Sequence, residues 1–129
     1  MDWDQLRLVG WVAIGGAAGS VGRYGVTGVL TRGNFPWGTF VVNFSGTFLL
    51  SLVYFAFLFG GSLSPDTRTF LFIGVFGGYT TFSTFGLETV SLVAEGQTVL
   101  ATVNVVLNAG VCLLGAFGGR AVGLWIGGG

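Results

Sequence analysis

At 129 residues the chain has the length of a single domain, yet 52% of it is hydrophobic and only 8% is charged, with a mean hydropathy of +0.83. A soluble domain carries about 25% charged residues, so a water-facing surface cannot be assembled from this set, and lipid must be the solvent for most of it. Five arginines offset five acids, with no lysine, no histidine and one cysteine, Cys112, which excludes a His/Cys metal cage, an intrachain disulfide framework and a charge excess suited to nucleic acid.

A helix needs about 20 residues to cross roughly 30 Å of hydrocarbon, and the sequence offers four such stretches within one domain, 1–129. Residues 8–30 are the first. No short apolar core with a small-residue cleavage site marks this stretch as a leader, and further spans follow, so it reads as a retained span. It contains Arg23, a charge that costs at least a few kcal/mol in a bilayer and is therefore expected to face protein or water. Arg23 either snorkels toward the span end at Leu30 or stands as a fixed positive charge at a vestibule, drawing anions inward. No acid inside the spans offers itself as its partner. Arg32-Gly33-Asn34-Phe35-Pro36 then breaks the chain before the second span, the uncharged residues 38–60. There Thr39, Asn43 and Thr47 recur at i, i+4 and form one polar stripe, for an interhelical hydrogen bond or for lining a pore.

Residues 62–66 form a turn, with Ser64 or Asp66 placed to cap the third span, residues 69–87, which Glu88 ends. The middle of that span is unusual: Gly77-Gly78-Tyr79-Thr80-Thr81-Phe82-Ser83-Thr84-Phe85-Gly86 sets glycines, hydroxyls and aromatics at mid-membrane depth. Paired glycines and threonines are poor helix material, which predicts a break near Gly77 to Thr81. Unwound backbone at that depth survives only inside protein or beside a cavity, and it frees carbonyl oxygens suited to a hard cation such as Na⁺. Phe82 and Phe85 share a face, either packing together or presenting positive ring edges to an anion, with Ser83 and Thr84 as O–H donors. Glu95-Gly96-Gln97 leads to the fourth span, residues 98–119, ended by Arg120. Asn104 and Asn108 form its polar face, for packing or for pore lining.

Backbone groups in lipid must be satisfied internally, so the fold class is an all-α membrane protein of four helices with a break in the third. Both termini then lie on one side, with Arg7, Arg68 and Arg120; Arg32 lies on the other, a weak orientation signal. Twenty-five glycines, several at small-xxx-small spacing (Gly15/Gly19, Gly74/Gly78, Gly115/Gly119), predict tightly packed helices and a bundle that needs a partner chain. The short loops hold no enzyme site, and no nucleophile-base pair is present.

Three segments together resemble the Fluc (CrcB) family of fluoride channels: Gly19-Ser20-Val21-Gly22-Arg23-Tyr24, Pro36-Trp37-Gly38-Thr39-Phe40-Val41-Val42-Asn43, and Gly77 to Phe85 followed by Glu88. The resemblance implies an antiparallel, dual-topology homodimer in the cell membrane, enclosing two pores that export fluoride passively. It also implies a central structural Na⁺ held by the backbone carbonyls of Gly77 and Thr80. The implied anion pathway comprises Arg23, Thr39, Asn43, Phe82, Ser83, Thr84, Phe85 and Asn104. Asn104 and Asn108 depart from the tyrosine and serine of many relatives, so amides must serve there in place of hydroxyls. Two competing readings are a proton-coupled small multidrug-type exporter, which needs a titratable acid inside a span, and a non-conducting membrane assembly subunit.

Overall fold

The computed structural model describes residues 2–60 and 63–128, and no strand occurs among them. Ser62 of the expected turn lies outside the described residues. Span 1 is Trp3–Leu30 and span 2 is Trp37–Gly60. Span 3 is Pro65–Ala94, interrupted at Thr80 and Thr81, and span 4 is Thr98–Gly127. Spans 2, 3 and 4 are each long and apolar enough to cross a membrane; span 1 is 28 residues long but is diluted by glycine, Arg7 and Arg23. Both later spans contain a wider π-helical stretch, Thr69–Phe76 in span 3 and Val106–Val111 in span 4, which the residue pattern did not signal.

The helix ends follow local chemistry. Asp2 and Gln5 form a reciprocal capping box at the start of span 1, with Oδ1 of Asp2 accepting from Gln5 N–H at 2.8 Å. Of the two candidate caps for span 3 it is Ser64 that serves, accepting from Thr67 N–H at 3.2 Å with Pro65 at the first helical position. Asp66 instead meets Arg7 at 3.4 Å, while Asp4 holds the same guanidinium at 3.3 Å. Span 3 outlasts its apolar stretch, so Glu88 lies inside the helix Phe82–Ala94 and does not end the span, as the sequence suggested. Gly33 and Gly96 take φ of +76° and +77° in the two turns at the Arg32 end, a conformation that disfavours side chains.

Span 1 packs along span 3 and span 2 along span 4. In lipid little hydrophobic force drives such contacts, so close backbone approach and interhelical hydrogen bonds must hold them. A Cβ on Gly19 would strike the Val75 carbonyl oxygen and lie 2.7 Å from Tyr79 N; one on Gly15 would lie 2.5 Å from the Phe70 carbonyl oxygen. On the other pair, Gly115 meets the Phe44 ring and Gly119 the Phe48 backbone, and the stripe continues through Gly123 against Leu52 and Gly127 against Ala56. All three glycine pairs expected from the sequence therefore sit at helix contacts. Ser51 donates to the Ala116 carbonyl at 2.7 Å across spans 2 and 4. Ser45 and Tyr79 share a 3.1 Å bond across spans 2 and 3. The most deeply buried large side chains are Val42, Asn104 and Thr39, so two of those three are polar. Exposed Trp3 and Trp125 mark the terminal end and Trp37 the opposite end, as amphipathic rings do at membrane interfaces.

Gly19→Ala is expected to destabilise the protein in detergent by about 1–3 kcal/mol, the scale of overpacking. Gly10→Ala, where a Cβ meets nothing within 4 Å, should leave stability unchanged. Thermal unfolding followed by size-exclusion monodispersity reads the difference; equal stability of the two variants contradicts the packing described.

Candidate ion pathway

The break in span 3 has a cause that can be traced bond by bond. In an unbroken helix the Thr81 N–H would close on the Gly77 carbonyl and the Thr84 N–H on the Thr80 carbonyl. Instead, Thr81 N–H donates to Oδ1 of Asn43 at 2.8 Å, and Thr84 N–H donates to Oγ1 of Thr81 at 3.2 Å. Thr80 and Thr81 turn extended, with ψ of 157° and 121°, and Thr81 becomes the N-cap of the helix Phe82–Ala94. Nδ2 of Asn43 also donates to the Thr81 carbonyl at 3.0 Å, so one side-chain amide replaces the lost acceptor of the Thr81 N–H and adds a donor to a carbonyl that, as an N-cap, already accepts the first bond of the next helix. Gly77 and Thr80 are thereby left with carbonyl oxygens deprived of their helical donors, and Gly77 is exposed. Hard, uncharged oxygens of this kind suit a hard cation, so the two residues expected to hold Na⁺ fit that role chemically.

Two crevices converge on this break. The first, about 380 Å³, is lined by Ser20, Arg23, Tyr24, Thr27, Thr39, Thr81, Thr84 and Glu88. Nε of Arg23 is buried there without a hydrogen-bond partner, as is Oε2 of Glu88, while Oε1 of Glu88 accepts from Thr39 at 2.7 Å. Arg23 thus faces the protein interior, and an acid does share its crevice, contrary to expectation. Lengthening of span 3 past its apolar stretch is what brings Glu88 there. The second crevice, about 220 Å³, is lined by Asn43, Thr47, Thr80, Thr81, Phe82, Phe85, Asn108, Ala109 and Cys112. Thr81 borders both, so the break is their common wall.

The expected pathway residues divide between these spaces. Arg23, Thr39 and Thr84 line the first crevice; Asn43, Phe82 and Phe85 line the second. Phe82 and Phe85 meet edge to face, ring centres 5.4 Å apart. Phe85 is 9% exposed and Phe82 83% exposed, so one ring is anchored and the other projects from the bundle. Ser83 is exposed, with its hydroxyl 3.4 Å from that of Thr81. Asn104 lies in neither crevice: it is 0% exposed and donates to Thr89 at 3.0 Å. The sequence reading placed Thr81 at the break without giving it a site role, and it missed Thr89 and Cys112. Cys112 was legible, since Asn104, Asn108 and Cys112 recur every fourth residue; Thr89 was not, because its role depends on which helix lies beside it.

With this geometry in view, comparison with known proteins becomes informative. Residues 10–120 match the family described as CrcB-like protein, Camphor Resistance (CrcB). The chain belongs to the CrcB-like family. A relative from Rhodospirillum rubrum named fluoride-specific ion channel FluC is 44% identical over 117 residues, covering 85% of this chain and 89% of its own length. Relatives of the same name come from Rhizobium meliloti, 42% identical over 92% of this chain and 95% of theirs, and Methylocella silvestris, 39% identical over 90% and 92%. CrcB-like membership and three long apolar helices make this a multi-pass membrane protein.

Asn43→Leu removes the acceptor of the Thr81 N–H. A buried donor orphaned in this way costs about 1–3 kcal/mol. The variant should therefore melt at markedly lower temperature than the parent chain, and amide hydrogen exchange should rise specifically around Thr80 and Thr81. Unchanged exchange at those two positions would show that Asn43 does not hold the break.

Proposed function

We propose that the chain is a passive fluoride channel, acting in the cell membrane as an antiparallel homodimer with two pores and a central structural Na⁺. The observation that carries this reading is the meeting of two donor-lined crevices at the span 3 break, beside the Phe82–Phe85 pair. The names of the relatives supply the ion.

Fluoride holds its hydration shell tightly, so a conducting path must exchange water for donors and positive ring edges in small steps. Arg23, half-buried with its Nε unpartnered, raises the local anion concentration at the mouth of the first crevice. The hydroxyl of Thr84 replaces the first water, beside Thr39, whose own hydrogen goes to Glu88, and Ser83 stands next along the helix of Thr84. The rings of Phe82 and Phe85 then offer their edges where hydroxyls run out. Gly77 and Thr80 carbonyls hold the sodium, which when bound supplies a fixed positive charge at the break. A second copy packed over the exposed Phe82 ring completes the path. A negative-inside potential drives the anion outward, at about 2.3 kcal/mol per charge per 100 mV, without a nucleotide.

Glu88 favours one competing reading, because a proton-coupled exporter needs an acid inside a span and Glu88 lies inside span 3. Efflux assays separate the two. Purified protein in liposomes, with fluoride read by electrode after a potassium ionophore is added, should release fluoride rapidly with no pH gradient and release no chloride. Phe82→Ile should slow that release by about tenfold or more, the scale on which small misplacements act. Release that requires a proton gradient favours the exporter. No release above empty vesicles, from folded dimeric protein, favours the assembly subunit.

Sodium is tested separately. Exhaustive exchange of Na⁺ for N-methylglucamine before reconstitution should lower fluoride efflux and the melting temperature together, and restored Na⁺ should recover both. A melting temperature indifferent to Na⁺ counts against a structural ion at Gly77 and Thr80.

A further inference from the structure

The polar groups of spans 2, 3 and 4 join into a single directional chain of hydrogen bonds. Thr81 N–H donates to Oδ1 of Asn43 at 2.8 Å. Nδ2 of Asn43 donates to Oδ1 of Asn108 at 2.8 Å, and Nδ2 of Asn108 donates to Oδ1 of Asn104 at 2.9 Å. Nδ2 of Asn104 donates to Oγ1 of Thr89 at 3.0 Å, and the Thr89 hydroxyl donates to the Phe85 carbonyl at 2.8 Å. The chain leaves span 3 at Thr81, crosses to span 2 and then span 4, and returns to span 3 at Phe85.

Its direction is fixed by its ends. A backbone N–H can only donate and a carbonyl can only accept. Turning Asn43 or Asn108 around would set N–H against N–H on one side and oxygen against oxygen on the other; turning Asn104 around would set its N–H against that of Asn108 and draw the Thr89 hydroxyl off the Phe85 carbonyl. Nearly all the donor capacity is also spent. The second hydrogen of Asn43 goes to the Thr81 carbonyl at 3.0 Å, and that of Asn108 goes to the Asn104 carbonyl at 3.1 Å. Neither has a free hydrogen for an ion, and Asn104 is 0% exposed.

We propose that Asn104, Asn108 and Thr89 are positioning residues: with Asn43 they form an amide relay that clamps the first turn after the break and thereby fixes Phe85. The relay begins at the cap of that turn and ends on the carbonyl at its close, so the backbone carrying Phe82, Ser83, Thr84 and Phe85 is tied directly to span 2 at Thr81 and, through Thr89 of its own helix, to span 4 at Phe85. The effect on ion flux rests on the channel reading; the clamp itself does not.

The test uses the full chain with Thr89→Val, Thr89→Ser, Asn104→Leu and the double variant Thr89→Val/Asn104→Leu. Each is assayed for fluoride efflux in liposomes and, with para-fluorophenylalanine at position 85, by fluorine NMR in detergent. Thr89→Val and Asn104→Leu should each shift or broaden the position 85 resonance and slow efflux by about tenfold or more. The double variant should be no slower than its slower parent, because one broken link already opens the relay. Thr89→Ser keeps the hydroxyl and should restore the parent rate and spectrum.

Unmoved resonances in folded Thr89→Val and Asn104→Leu overturn the proposal, and so do losses that multiply in the double variant. If Asn104→Leu does not fold, Thr89→Val and Thr89→Ser decide the matter. A parent chain that releases no fluoride refutes the channel reading alone, since the resonance is read without ion flux and still judges the relay.

Discussion

One side-chain amide organises the centre of this molecule. Asn43 accepts from the backbone N–H of Thr81, taking over the acceptor that an unbroken helix would have provided, and donates to the Thr81 carbonyl as well. A helix interrupted in lipid leaves polar groups that cost several kcal/mol each, so the break exists only because Asn43 stands opposite it. From that substitution follow the cap at Thr81, the carbonyls of Gly77 and Thr80 without helical donors, and the placing of two phenyl rings just beyond.

Lipid as solvent explains why the interior looks inverted beside a soluble protein. Apolar side chains gain little by leaving a hydrocarbon surroundings, so they point outward, and the most buried positions include Thr39 and Asn104. Helices are held instead by close approach at Gly15, Gly19, Gly119 and Gly123 and by hydrogen bonds across spans. Tight glycine contacts set span 1 on span 3 and span 2 on span 4. The polar amides then tie the second pair to the broken span, so specificity resides in a few bonds.

Arg23 and Glu88 illustrate how a bilayer protein retains opposite charges without pairing them. Both line one crevice, each keeps a buried atom unpartnered, and Glu88 spends one oxygen on Thr39. A closed ion pair would fill the crevice with its own charges. Left open, the guanidinium stays unpaired by Glu88, and the Glu88 side chain is held to one wall by Thr39.

What the sequence determined by itself was set by composition and short spacing. A chain with 8% charge must use lipid as solvent, uncharged runs of about 20 residues must be helices there, and glycines four apart must mark helix contacts. The break was legible too, because Gly77, Gly78, Thr80 and Thr81 are all weak helix formers. Tertiary structure alone decided which polar residues work together. Asn43, the pair Thr81 and Thr89, and the pair Asn104 and Asn108 lie on three separate spans, and an amide four residues from another looks the same in sequence whether it faces a pore or a neighbouring helix. Only the rotation of each helix about its axis, fixed by how the helices pack, turned Asn104 inward to Thr89 and brought Glu88 beside Arg23. That rotation is a property of the packed bundle, and no local pattern encodes it.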